Sequence, residues 1–295
     1  SKITYSGGYG LRGTFNNRTI LIDNSEIRGT SSGSAIGFWN GYNGTFTMKN
    51  SKVINSTTNS DLIYVNEAKA VVIEGNEING NKRTTINMYG LRGDVSVKGN
   101  TFNNNTSGEI NIRESYEDNV SIKVEDNKIN SGNNYFGQIR VSDMRQGSEI
   151  LIQNNTIESR GGGINVRDYY NAKPQILGNI IKGASSDNKE GTGIEVTSKA
   201  KPIIKNNTVQ DKSDGIRVEY NDANGDGSST ITGNVVKDNR NYGIKVEGYA
   251  KPLISLNDIE NNGNYEVNNQ TGFTVDVRNN WWGSILKAVI ESGDN

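Results

Sequence analysis

The sequence predicts an all-β chain wound as a single-stranded parallel β-solenoid of about 11 coils, with roughly 25 residues in each. Three observations carry this prediction. A motif of alternating apolar residues closing on Asn-x-apolar recurs at steps of 23–28 residues. A second short strand, usually Gly-Ile-x-Val, falls between successive copies. Only 32% of the 295 residues are hydrophobic, which suits the narrow core of a coil better than the core of a globule of this length.

In chain order, the first motif opens with "ILIDNSEI" (20–27) and "FTMKNSKV" (46–53), in which Ser25 and Ser51 stand in the Asn slot. It continues through "VVIEGNEI", "VSVKGNTF", "IKVEDNKI", "ILIQNNTI", "PQILGNII", "PIIKNNTV", "STITGNVV", "PLISLNDI" and "VDVRNNWW". The slot then falls at Asn76, Asn100, Asn127, Asn155, Asn179, Asn207, Asn234, Asn257 and Asn280. Asn occurs 45 times. Turns and left-handed positions explain scattered copies, but a column in phase with the repeat predicts an internal Asn ladder, each side chain bonded to the neighbouring coil.

The second strand reads "LIYV" (62–65), "TINM" (85–88), "EINI" (109–112), "QIRV" (138–141), "GINV" (163–166), "GIEV" (193–196), "GIRV" (215–218) and "GIKV" (243–246). Coils stacked at the ~4.8 Å inter-strand spacing make a rod roughly 50 Å long. A leucine-rich horseshoe is the rival solenoid, but its Leu-x-x-Leu-x-Leu signature is missing.

Taken together, the Asn-x-Ile and Gly-Ile-x-Val motifs, closing on "NNWWG" at 279–283, resemble the right-handed parallel β-helix repeats of the pectin-lyase-like superfamily. More narrowly, they resemble NosD-type, or carbohydrate-binding-and-sugar-hydrolysis, repeats. The resemblance covers nearly all of residues 20–283. It implies a right-handed coil and a secreted or cell-surface protein associated with polysaccharide, while the motif residues themselves build the coil.

Composition prunes the chemistry. The chain has no Cys and no His, which removes disulfides, thiolate nucleophiles, Ser-His-Asp triads and imidazole metal sites. Charges nearly cancel, with 32 Lys+Arg against 33 Asp+Glu, so no basic field is expected to attract nucleic acid. No apolar run approaches the ~20 residues of a membrane span. No initiator Met precedes Ser1, and we expect a segment of a longer parent protein with other domains. The β-helix is expected over 1–284. Residues 285–295 are expected as a C-terminal cap or tail beyond "NNWWGS", with Trp282 in the buried slot and Trp281 facing out.

Alternation assigns the outward positions of the second strand. Between its two apolar residues stand Tyr64, Asn87, Asn111, Arg140, Asn165, Glu195, Arg217 and Lys245. Just after them stand Trp39, Asn66, Tyr89, Arg113, Ser142, Arg167, Thr197, Glu219 and Glu247, and one place further Glu67, Glu114, Asp143, Asp168 and Tyr220. Flat rings stack on the apolar faces of sugars, and Arg supplies paired donors for hydroxyls or uronate carboxylates. We therefore expect a saccharide strip of Trp39, Tyr64, Tyr89, Arg113, Tyr116, Arg140, Arg167, Tyr169, Tyr170, Arg217 and Tyr220. Aligned Arg and Asp columns also arise simply as cross-strand ion pairs that keep a sheet soluble; a plain spacer holding other domains off a surface is that alternative.

An enzyme on the same face is the other alternative. In a uronan lyase, Arg113, Arg140 and Arg167 would neutralise the substrate carboxylate and take the C5 proton, with Glu114, Asp143 and Asp168 as calcium ligands. In a glycosidase, Asp143 and Asp168 from adjacent coils would pair at the roughly 5 Å separation of retaining enzymes. The His-bearing catalytic signatures of the superfamily's enzymes are absent, which argues for binding without turnover. A separate Ca2+ candidate is "DANGDG", where Asp222, Asn224 and Asp226 match the opening of an EF-hand-type loop; the twelfth position, normally a bidentate Glu, is Gly233.

Overall fold

The computed structural model describes residues 2–4, 10–29, 31, 33–57, 60–82, 84–131, 137–185 and 189–283. Its strands form three parallel sheets of eleven, eleven and ten strands, each sheet visited once per turn. The coil is right-handed and makes about 10 turns of ~25 residues, as right-twisted crossovers between parallel strands require. Every strand pairing among the described residues is parallel, for example Ile139↔Ile164, Ile164↔Ile194, Ile194↔Ile216 and Ile216↔Ile244. These Ile residues form one inward column, all at most 1% exposed. The expected tail at 285–295 lies outside the described residues. Trp282 is half-buried against the core, and Trp281 is exposed while its backbone bridges to Asp258.

The Asn slots do form a ladder. From Asn76 to Asn257, each slot donates its backbone N–H and its Nδ2–H to the Oδ1 of the next, at 2.9–3.0 Å. Ser51 takes the slot as expected: its N–H donates to Asn76 Oδ1, and its Oγ accepts the N–H of Ser25. The residue before each slot is left-handed, from Asn50 (φ 49°) and Gly75 (φ 65°) to Asn206 (φ 57°) and Asn279 (φ 62°). This explains the recurring Asn-Asn and Gly-Asn pairs, because Gly and Asn tolerate that conformation best. Leu256 (φ 58°) breaks the rule with an exposed aliphatic side chain.

A second corner repeats the device about five residues on. Ser56, Asn81 and Asn105 form one run and Lys212, Asn239 and Asn262 another, each preceded by a left-handed residue. Between the runs the strands Lys128–Ser131, Thr156–Ser159 and Ile180–Gly183 continue straight through the corner, with small inward residues. Two buried ionisable side chains fill the gap. Glu109 accepts from Ser131 Oγ, Thr85 Oγ1 and Asn105 Nδ2. Lys212 Nζ reaches two coils back to donate to Ser159 O (2.6 Å), Ser159 Oγ (3.1 Å) and Gly161 O (2.7 Å).

Burial pushes the Glu109 carboxyl up to about 7, against the opposing effect of its three donors. It pushes the Lys212 amine down to about 7, with Asp211 opposing weakly. A raised carboxyl stabilises the fold below its unfolded pKa, and that contribution is lost as pH rises through about 7. A lowered amine costs most below about 7, and stability returns as pH rises toward 10.5.

Three outcomes are expected. The thermal midpoint should pass through a dip near pH 7, with limbs on the order of 3 kcal/mol; Glu109→Gln should flatten the acid limb and Lys212→Met the alkaline one. Asn155→Ala should cost on the order of 3 kcal/mol in denaturant unfolding, because it orphans buried amides of Asn127. Leu256→Asn should raise the midpoint, with a gain of about 1 kcal/mol from relieved backbone strain.

Candidate functional site

The sheet carrying the Gly-Ile-x-Val strands presents its outward residues in register. One column runs Tyr64, Asn87, Asn111, Arg140, Asn165, Glu195, Arg217 and Lys245. Beside it, Asn66, Tyr89, Arg113, Ser142, Arg167 and Thr197 pair in succession. Both columns stand where alternation put them.

The third column does not. Asp168 and Tyr220, expected outside, are 0% and 1% exposed. Their strands, Ile164–Asp168 and Asp214–Tyr220, run on without a break, so the residue after an outward Arg167 or Glu219 points inward. Glu67, Glu114 and Asp143 instead adopt φ of 58°, 56° and 61°, which swings the chain out and leaves them half-exposed. Asp168 Oδ2 accepts the backbone N–H groups of Tyr170 (2.8 Å) and Ala172 (2.9 Å), and burial pushes its carboxyl up. It is a loop cap, and the paired-carboxylate arrangement with Asp143 is withdrawn. Tyr220 is a core residue whose hydroxyl donates to Asn171 Oδ1, so it leaves the saccharide strip.

Aromatic rings and guanidinium groups interlock over the earlier coils. Trp39 lies back over Gly37, where an added Cβ would fall 2.6 Å from the indole, and meets Tyr64 at 5.8 Å between centroids. Tyr116 lies over Gly90 in the same way and meets Tyr89 edge-on at 6.1 Å. Hydrogen bonding to Tyr116 and Glu114 pushes the Tyr89 hydroxyl pKa up. Arg113 stands 5.6 Å from the Tyr89 ring and Arg167 5.5 Å from Tyr169. Tyr169 and Tyr170 are about half exposed. Arg92, which outward-strand counting missed, lies between Tyr42 (4.5 Å) and Tyr116 (5.3 Å) and pairs with Glu67 and Glu117. Its signal was available: "YGLRG" occurs at both 9–13 and 89–93.

The arginines differ in what surrounds them. Arg217 is bonded by Glu195, Glu219 and Glu247 at once, and Glu247 also takes Lys245 at 2.8 Å. That network holds the guanidinium in place and removes Arg217 from the candidate strip. Arg167 donates to Asp143 at 2.9 Å. Arg140 has its pKa lowered by burial and by the charges of Arg167 and Arg113.

At the "DANGDG" loop, Asp222 pairs with Lys199 at 2.9 Å and Asp226 with Lys201 at 3.6 Å. Asp222 Oδ1 also accepts the Asn224 N–H, and Asp226 takes both donors of Ser228. Lys199 holds the Asp222 carboxyl low. No cluster of three metal-ligating acidic residues occurs among the described residues.

A family model described as "Right handed beta helix region" matches residues 1–144 and again residues 116–282. The chain belongs to this right-handed β-helix family. No curated protein and no solved structure matches it.

Because two lysines already neutralise Asp222 and Asp226, Ca2+ is expected to leave the thermal midpoint unchanged, as is EDTA; a rise with millimolar Ca2+ would restore the loop as a cation site.

Proposed function

We propose that this β-helix is a non-catalytic, polysaccharide-binding or adhesive module of an extracellular protein. Its ligand lies along the outward face from Trp39 to Tyr170. One observation carries the reading: successive coils there hold rings and guanidinium groups at fixed spacing on one rigid sheet, while Asp168 is turned inward. Rings seated on glycine backbone, as Trp39 is on Gly37 and Tyr116 on Gly90, are oriented before any ligand arrives, which lowers the entropic cost of binding. Coil stacking at ~4.8 Å is comparable to the advance per sugar of an extended glycan, so each residue of the ligand meets an equivalent position. The extracellular setting and the longer parent protein rest on the likeness of these repeats to surface-protein modules.

A second reading, uronan lyase, is favoured by one feature. Arg140 stands on the outward column between Asn111 and Asn165, and burial together with Arg167 and Arg113 lowers its pKa against the opposing effect of Asp143 and Glu195. In that reaction Arg140 takes the C5 proton, the C4–O bond breaks with its electron pair on the leaving sugar, and a C4=C5 double bond forms.

Two measurements separate these readings. Replacing Trp39, Tyr64 and Tyr89 by Ala should abolish retention in polysaccharide affinity gels while the coil still melts cooperatively; unchanged retention sinks the strip. Incubation with polygalacturonate or alginate should give no ultraviolet signal from unsaturated uronate, and a signal lost in Arg140→Gln would establish the lyase instead.

A further inference from the structure

The exposed aliphatic side chains gather away from the Gly-Ile-x-Val sheet. Of the exposed Leu and Ile among the described residues, Ile180, Ile203, Leu253 and Leu256 lie around one corner, and only Leu21 lies elsewhere. That corner carries the Asn ladder and joins the strands Ser228–Thr232 and Lys251–Ser255 to Val235–Lys237 and Asp258–Glu260. In earlier coils the same outer face holds ion pairs, Lys49–Glu74, Lys52–Glu77 and Lys98–Asp126. In the later coils aliphatic residues replace them, and a gathered apolar patch on an outer face marks a contact site.

Leu256 is the extreme case. It is 69% exposed and left-handed, at a position that Asn, Asp or Gly fills in every other coil from Asn24 to Asn279. An exposed side chain kept at a backbone cost points to a use.

The coils of Asn234 and Asn257 are matched opposites. Thr230 pairs with Leu253 and Lys237 with Glu260, and by the same count Gly233 lies beside Leu256. One coil thus offers a short side chain, a gap and a cation; the next offers two leucines and an anion. A two-fold axis between the two coils, crossing the rod, sets each coil against its opposite in a second copy. Leu256 then fills the gap at Gly233 of the other copy, Leu253 meets Thr230, and Lys237 meets Glu260, each contact being made twice. Asp258 lies two residues before Glu260, and its Oδ1 is covered and accepts no hydrogen bond among the described residues. Lys237 of the second copy brings a donor within its reach. A parallel pairing would instead set Leu256 on Leu256, Gly233 on Gly233 and Leu253 against Glu260.

We propose that a second copy of this chain packs antiparallel on this corner, through the coils of Asn234 and Asn257, to form a two-fold dimer. The contact lies off the Gly-Ile-x-Val sheet, so both outward faces stay open.

Sedimentation equilibrium of the full chain, from about 1 to about 100 µM, should show a reversible monomer–dimer balance. Leu256→Asn should weaken the dimer about tenfold, while its thermal midpoint in dilute solution does not fall. Lys237→Glu and Glu260→Lys should each weaken it similarly, and the two combined should restore it. Asn206 and Asn279 face each other across the same axis, and the chain has no Cys. Mixing Asn206→Cys with Asn279→Cys chains under mild oxidation should therefore link the two variants to each other and neither to itself. A monomer throughout, association untouched by Leu256→Asn, a double charge swap that restores nothing, or self-linked Asn206→Cys overturns the proposal. A monomer whose midpoint falls in Leu256→Asn would point to residues 284–295 of the same chain as the cover, and equally overturns the dimer.

Discussion

The structure depends on a two-residue corner: a left-handed residue followed by Asn whose side chain bonds the next coil. The left-handed residue turns the chain out of one strand; the Asn then ties that turn to its neighbours. Asn155, for instance, accepts from Asn127 and donates to Val124 O, Gln153 O and Asn179 Oδ1. Its amide is fully satisfied while 0% exposed, so burial that would otherwise be costly becomes register information. A coil slipped by one residue would put into that buried slot either Thr156 or Asn154, whose left-handed backbone belongs one place earlier. Because the corners fix the register, the outward residues of distant coils form straight columns, and a surface feature can be built from one residue per coil.

Much of this was legible in the sequence. Nine Asn in phase with the repeat announced the ladder, and Ile and Val alternation fixed which residues of the Gly-Ile-x-Val strands face outward. What alternation could not supply was where each strand stops. Asp143 leaves its strand through a left-handed turn, whereas Asp168, its counterpart one coil on, continues as strand and turns inward. The two look alike in sequence because both follow an outward residue, and only the backbone conformation tells them apart. The second corner was hidden for another reason: its ladder is interrupted, and the residues bridging the interruption, Glu109 and Lys212, look like ordinary surface charges. Arg92 escaped because it lies on a loop and reaches the face through two rings.

The outward face gathers these effects into an electrical asymmetry. Arg217 is surrounded by carboxylates, while Arg140 is acted on by the cations Arg167 and Arg113 and by the carboxylates Asp143 and Glu195. Ion pairs that merely keep a sheet soluble need no such segregation, since mixed charges at every coil would serve equally well. The buried carboxyl of Glu109 and amine of Lys212 show the inner counterpart. There, burial disfavours the charged form of each group despite its hydrogen-bond partners, and the fold's pH response follows from that enclosure.

The ladder also has a sense. Each slot from Ser51 to Asn257 donates its N–H to the slot one coil higher, and from Asn76 on its Nδ2 also donates to a main-chain carbonyl of the coil below. Each slot is thereby tied to the coil on either side of it, as Asn155 is to Asn127, Val124 and Asn179, so loss of one side chain loosens two neighbours at once.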